Sequence, residues 1–425
     1  LTAEIPTAHP GGRFNAALLD QIRSRFCHVE NDPGTVRRVY FESAGGALRL
    51  RSVVALVERL TALPDNSGRR NPTSCDIDRM IAQGTRDVAL LLGAQTGVIV
   101  FGESTTANAF RILRAIISSQ PGDNVVTTNL DHPAVYDSTQ LLAAWYGKQW
   151  RTASLNPRTG AVELSEVLRH VDSRTIVLAL IHSSNVNGAI NDVKTIIREA
   201  RALKPDLYVL VDGAQHAPHG PVDVHDLGCD AYLVSSYKFF SKMGASCAYL
   251  SDRAASLPHE QITGKPGNAW DLGTREVAGY AAWTLVVDYL CWLGGHFVAQ
   301  GGRKEMARAG IQAIQAHERA LHNLLVFGGD GIPGLSQLER LQIHPQGHSP
   351  DGGPLSALTV RHMPARQVVN WLEEEGFRVH ERVCDGYSKH TLEGMGIEEC
   401  VRVSLAHYNS PQEVTAFLQT MGRLP

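Results

Sequence analysis

From residue 77 to residue 250, short apolar runs alternate with longer stretches whose apolar residues recur at helical spacing. The apolar runs are GVIVFG, VVTTNL, TIVLALIH, LYVLVDGAQ, AYLVSSYK and ASCAYLS, and each predicts a strand. Between them stand DRMIAQGTRDVALLLG, ESTTANAFRILRAIISS, STQLLAAWYG, SEVLRHV and DVKTIIREARAL, each predicting a helix. In the last of these, Val193, Ile196, Ile197 and Ala200 share one face. Unbroken apolar strands fit burial on both faces, as in a parallel sheet covered by helices. The pattern therefore predicts an α/β fold.

The flanks read differently. Up to Asn31 the chain predicts an irregular arm with one short helix, FNAALLDQIRSRF. Gly45 and Gly46 predict a tight turn, Val53 to Leu63 a helix, and the breaker-rich PDNSGRRNPTSC a loop. The polar TASLNPRTGAVE reads as a crossing segment. After the loop ITGKPGNAWDLGTRE come two long helices, VAGYAAWTLVVDYLCWLGG and MARAGIQAIQAHERALHNLLVF, then a glycine-rich linker or turn, GGDGIPG. SALTVRHM, ARQVVNWLEEEGF, CVRVSLAH and PQEVTAFLQTM predict a smaller α+β domain. The expected division is an N-terminal arm and small-domain segment (1–60), a large domain (61–300) and a C-terminal small domain (301–425).

Composition narrows the function classes. Of the 425 residues, 43% are hydrophobic and 20% charged, with a formal net charge of -3. Nothing in that balance predicts a nucleic-acid footprint or a polybasic membrane patch. Seven cysteines without a CxxC pair fit free thiols in a reducing, cytoplasmic setting. No apolar run reaches the length of a membrane span, and the N-terminal LTAEIPTAHPGG lacks a signal-peptide core.

The chemistry gathers at predicted strand ends, where open α/β sheets place their ligands. Lys238 follows AYLVSSY, Asp212 ends LYVLVD and His182 ends TIVLALI. Ser104, Thr105 and Thr106 open a helix, His132 follows VVTTNL, and Ser235 lies three residues before the lysine. A buried lysine can hold an aldehyde cofactor, an acidic residue can pair with a pyridinium nitrogen, and a hydroxyl-rich helix start can hold a phosphate. Taken one at a time, each residue has an ordinary reading: a strand-ending lysine, a turn aspartate, a helix cap, a loop histidine. Their joint placement favours the chemical reading. His216, His219 and His225 in HAPHGPVDVH are close in sequence but lack the helical HExxH zinc spacing, so no metal is expected. Tyr136, His182, Tyr387 and His407 are candidates either for a pocket lining or for packing.

The segments HSSNVNGAI, VDGAQHAPHGPVDV, SSYKFF, DLGTRE and VRVSLAHYN resemble those of fold-type I pyridoxal phosphate enzymes. They are most similar to the class V aminotransferase and cysteine desulfurase superfamily, in its cysteine desulfurase-like branch. The resemblance runs from Tyr40 to the C-terminal region. It implies a mostly parallel seven-stranded sheet in the large domain, a pyridoxal 5'-phosphate cofactor, and a homodimer with shared active sites. It implies that Lys238 forms the Schiff base, Asp212 pairs with the pyridine nitrogen and His132 stacks on the ring. It further implies that Gln215 and Asn185 bond near the ring hydroxyl and the imine. Thr105, Thr106 and Ser235 would contact the phosphate, as would Thr274 of a neighbouring subunit. Arg402 would clamp the substrate α-carboxylate. Two positions depart from the desulfurase pattern. Tyr237 replaces the histidine usual before the lysine, and Cys384 lies in a stretch unlike the desulfurase cysteine motif, which favours a bystander thiol.

These residues predict an enzyme acting on an amino acid, most simply a lyase catalysing β- or γ-elimination or C–S cleavage. The alternatives are a carbon–carbon bond-forming or decarboxylative enzyme of specialised metabolism, an aminotransferase, and, from another class, a non-catalytic scaffold. A second small-molecule substrate stays open, and neither nucleic acid nor membrane is expected as a partner.

Overall fold

The structure is a computed structural model and describes residues 12–34, 36–345 and 352–425. The first eleven residues of the expected arm lie outside them. The expected arm helix forms at Ala16–Ser24, capped by Asn15, whose side chain accepts from the Leu18 amide.

A seven-stranded sheet organises the molecule. Its strands are β1 (Val98–Gly102), β2 (Asn124–Thr128), β3 (Gln149–Ala153), β4 (Thr175–Ile181), β5 (Tyr208–Asp212), β6 (Ala231–Ser235) and β7 (Ser246–Leu250). The spatial order is β1-β7-β6-β5-β4-β2-β3. All neighbours are parallel except β7, which runs antiparallel to both β1 and β6. Six of the strands were expected from their apolar runs. β3 was not, because it forms the sheet edge and keeps one fully buried residue. Its QWRTA has no apolar run to announce it.

The alternation of side chains explains why the central strands are apolar throughout. Val125, Val177, Leu210 and Leu233 point to one face, where Ile112, Leu113 and Ile116 of the helix Thr105–Ser119 meet them. Val126, Leu178, Val209, Val211 and Val234 point to the other. There they pack with Ile196 and Ile197 of the helix Val193–Leu203, Trp283 of the helix Ala278–Gly294 and Ile314 of the helix Arg303–Phe327. Helices cover both faces, giving three layers.

Beyond the long helices, β8 (Leu341–His344), β9 (Leu355–Val360), β10 (His380–Val383) and β11 (Glu399–Ser404) form a second, antiparallel sheet in the order β8-β9-β11-β10. Strands β8 and β10 and the helix Lys389–Met395 were not read from the sequence, and GGDGIPG forms a turn, with Gly328–Gly329 and Ile332–Pro333 paired antiparallel across it. The expected loop at Pro64 to Cys75 is shorter than predicted, because Pro72 starts the helix that runs to Leu91 with Asn71 as its cap.

The Gly45–Gly46 turn forms as expected, the Gly45 and Gly46 amides donating to Glu42 and Ser43 carbonyls. It serves as a stitch between the two sheets. Ala44 donates to Ser404 Oγ, Leu48 donates to Tyr408 Oη, and Ala47 donates to the Tyr237 carbonyl. This N-terminal segment thus ties the C-terminal strand end to the turn that carries Lys238.

Candidate active site

Strand β6 ends in a single 3-10 turn, Ser236–Lys238. The turn places Lys238 at the carboxyl edge of the sheet, 8% exposed. Its Nζ donates to Gln215 Oε1 at 3.1 Å. Burial pulls the amine down to about 8, opposed by Asp212 and assisted by Arg402 and Arg382.

Asp212 closes the neighbouring strand β5 and is buried. Its Oδ1 accepts from the Ala214 amide at 3.0 Å. Burial raises its pKa, and Lys238 and the Ala214 bond oppose the rise. Gly213 follows because no side chain fits there: a Cβ would overlap the Tyr232 ring.

His132 caps the helix Pro133–Trp145, its Nδ1 accepting from the Ala134 amide at 3.1 Å. Burial first, then the charges of Lys238, Arg382 and His390, push it down to about 3. It is a neutral imidazole at any ordinary pH. Asp131 beside it is buried and accepts from Thr127 Oγ1 and from the Thr128 amide and hydroxyl. Burial raises it to about 7 all the same.

At the end of β1, Ser104 caps the helix Thr105–Ser119 by accepting from the Ala107 amide. Thr105 Oγ1 is buried with no hydrogen-bond partner, and Thr106 is exposed on the same first turn. Ser235 is buried at the end of β6, and its side chain bonds Tyr237. From the small sheet comes Arg402, 2% exposed on β11. Its Nη1 donates to the Asn185 carbonyl at 2.9 Å, while its Nε is buried without a partner. Burial and Arg382 lower it to about 10. Asn185 is itself buried.

The fold therefore brings Lys238, Asp212, Gln215, His132, Asn185 and Arg402 together from distant parts of the chain. Thr274 stands apart from them. It is exposed, and its hydroxyl accepts from Asn66 at 3.3 Å. Cys384 is exposed after β10, with its thiol raised by burial, Glu393 and Glu398. His182 and His216 stack on each other, centroids 3.5 Å apart, and His182 Nδ1 bonds Tyr232 Oη. His219 pairs with Glu318, and among the described residues no group of three His, Cys, Asp or Glu is placed to hold a metal.

Three residues escaped the sequence reading. Arg382 faces the site because it is paired with Cys400, two residues from Arg402 on β11. That register belongs to a strand with no apolar signal. His390 stacks on Tyr136 at 4.0 Å and bonds the Asp131 carbonyl, closing one side. Glu318 sits mid-helix, where nothing marks it apart from an ordinary surface carboxylate; its neighbour His219 was a visible signal, read only as a metal candidate.

The chain and its fold match a known class. The aminotransferase class-V family model matches residues 39–417, so the chain belongs to that family. The aminotransferase-like protein FGM3 of Gibberella zeae is 27% identical over 93% of this chain and 96% of its own length. A cysteine desulfurase of Cronobacter sakazakii is 27% identical over 96% of this chain and 98% of its own. In structure, the cysteine desulfurase CsdA of Escherichia coli matches with a TM-score of 0.76 at 22% identity, covering 96% of this chain and 98% of that one. The apo cysteine desulfurase of Thermococcus onnurineus NA1 matches with a TM-score of 0.77 at 21% identity, over 91% and 94%.

The protein is a pyridoxal phosphate-dependent enzyme of the class V superfamily, close to the cysteine desulfurases. The residues present fit that cofactor on their own terms. A buried lysine beside a buried aspartate suits an aldehyde and a pyridine nitrogen, and the orphaned Thr105 hydroxyl at a helix start suits a phosphate oxygen.

Proposed function

We propose that the protein is a lyase that breaks a bond at the β or γ carbon of an amino acid, C–S cleavage being the leading case. The observation that carries the reading is the convergence on Lys238 of a buried carboxylate, Asp212, and a buried guanidinium, Arg402. Pyridoxal phosphate, when bound, draws electrons away from the substrate's α-carbon.

The chain's own residues do the rest. Asp212 would hold the ring nitrogen in its charged form, and neutral His132 would lie over the ring. Thr105, Thr106 and Ser235 would hold the phosphate, with Thr274 of a second copy. Asn185 and Gln215 would bond the ring hydroxyl side. Arg402 would take the substrate α-carboxylate in its fork, which satisfies the orphaned Nε or the free face of the guanidinium. Lys238 Nζ, with its pKa near 8, would accept the α-proton and deliver a proton to the product or the leaving group.

Cys384 favours a lyase over a desulfurase. A persulfide-forming cysteine works as a thiolate, and the exposed Cys384 thiol is pushed up by what burial it has and then by Glu393 and Glu398. The test is purified protein loaded with pyridoxal phosphate and offered cysteine, cysteine conjugates, aspartate, and homoserine-type and methionine-type amino acids. Product mass spectrometry should show an unsaturated or keto-acid product that survives Cys384→Ser. Alanine with transferable sulfur, abolished by Cys384→Ser, would make it a desulfurase and end the lyase reading. A coupled product that retains the substrate carbons would make it a bond-forming enzyme instead.

A further inference from the structure

Behind Lys238 runs a buried polar chain, of which the reaction as proposed uses only the first member, Gln215. Gln215 Nε2 lies 3.4 Å from His219 Nε2, and His219 Nδ1 lies 2.9 Å from Glu318 Oε2. Glu318 is 1% exposed in the middle of the helix Arg303–Phe327. Its Oε1 faces His407 Nδ1 at 3.8 Å, and His407 Nε2 bonds Tyr289 Oη at 2.6 Å.

The donors and acceptors in this chain can run in one sense only. The Lys238 amine donates, so Gln215 turns its carbonyl oxygen toward it. The Gln215 amide nitrogen then faces His219 Nε2, which has to accept. His219 therefore carries its proton on Nδ1 and donates it to Glu318, and an ionised carboxylate only accepts. Glu318 stays ionised despite burial because His219 and His407 lower its pKa. Were Glu318 neutral or replaced by an amide, His219 could be protonated on Nε2, and two donors would meet at Gln215. A small cavity is lined by Ser183, Gln215, His219, Gln315 and Glu318.

We propose that Glu318, acting through His219, is a positioning residue that locks the Gln215 amide with its carbonyl toward Lys238 and thereby supports the protonated amine. The proposal deepens the reading of Lys238 as the cofactor lysine and rests on it for its functional meaning. It assigns a role to side chains on an element, the long helix, that has no other part in the site. The titratable and charged groups facing Lys238 are Asp212, His132, Arg382 and Arg402. Those facing His219 are His216, His407 and Glu318, and those facing Glu318 are His219, His317, His407, Tyr289 and Tyr408. None of these is altered by the decisive variants except the pair under test.

The test measures the protonation of Lys238 directly. The full chain, stripped of cofactor, is treated with cyanate across a pH series, and carbamylation of Lys238 is followed by peptide mass spectrometry. The rate midpoint should fall by about one pH unit in His219→Leu and in Glu318→Gln, because the ammonium loses its oriented acceptor. His219→Gln, which can accept from Gln215 and donate to Glu318, should restore the wild-type midpoint. Midpoints unmoved in folded His219→Leu and Glu318→Gln, with only thermal stability reduced, would show a packing role and overturn the proposal. If one of these fails to fold, the other with His219→Gln decides. Uptake of pyridoxal phosphate is read separately: a wild-type chain that takes up none through Lys238 defeats the cofactor reading, whatever the midpoints do.

Discussion

At the scale of the residue, Lys238 shows how burial and partners divide the labour of tuning. An isolated lysine in an apolar site can fall several units; burial, with Arg402 and Arg382, lowers this one to about 8 while the nearby Asp212 charge opposes the fall. The cofactor-free protein should record that in its stability. Between pH 8 and the ordinary lysine value of 10.5 the unfolded chain binds the extra proton, so folding stability contributed by this group rises with pH across that window. Below pH 8 the full penalty stands. The span is about 3 kcal/mol at 1.36 kcal/mol per unit. Denaturant melts of the cofactor-free chain at several pH values should show the climb, and Lys238→Met should flatten it by comparison. An identical pH dependence in the two proteins would contradict the tuned amine. Lys238, Asp212 and Arg402 were all legible from the sequence because each sits at the end of an apolar run or in a motif with a strong family likeness. Glu318 was not, since its partner His219 is 99 residues away in the chain.

At the scale of the element, the helix Thr105–Ser119 separates folding from ligand holding. Ser104 supplies its cap, and Ile112, Leu113 and Ile116 bury its inner face. Thr105 contributes to neither; its hydroxyl is buried and unused. Thr105→Val should therefore leave the thermal midpoint of the cofactor-free protein nearly unchanged. It should weaken retention of pyridoxal phosphate by about tenfold, the size of one charge-assisted hydrogen bond. Equilibrium dialysis against the cofactor measures this, and unchanged retention would remove Thr105 from the phosphate site. Elements differ in how far the sequence announced them. Strands buried on both faces, such as β4, declared themselves by composition. The edge strand β3 and the half-buried β10 did not, because their residues are held by neighbours rather than by a continuous apolar face. Arg382 was hidden for that reason, its direction being set by pairing with Cys400.

At the scale of the whole molecule, the loop that carries Thr274 is exposed together with apolar side chains. Ile262 and Leu272 are 45% and 42% exposed on the same segment, with Met243 64% exposed before it. We propose that this face docks on a twin chain and delivers Thr274 to the twin's phosphate site. Sedimentation should give a dimer. Mixing Lys238→Ala with Thr274→Val chains should then build one intact site per mixed dimer and return activity that neither parent dimer shows in full. Additive behaviour of the two parents would argue that each copy works alone.

The stitch made by the Gly45–Gly46 turn has a temporal consequence. Ser43 bonds Tyr408 across 365 positions of sequence, and the same short segment touches the turn that carries Lys238. Lys238 is synthesised well before Arg402, which faces it, and before Tyr408, which anchors the turn. A chain still emerging from the ribosome thus carries Lys238 before the arginine that faces it has been made. Contacts so distant in sequence also close late and slowly. Time-resolved refolding should show helix formation well before yellow colour returns in the presence of pyridoxal phosphate.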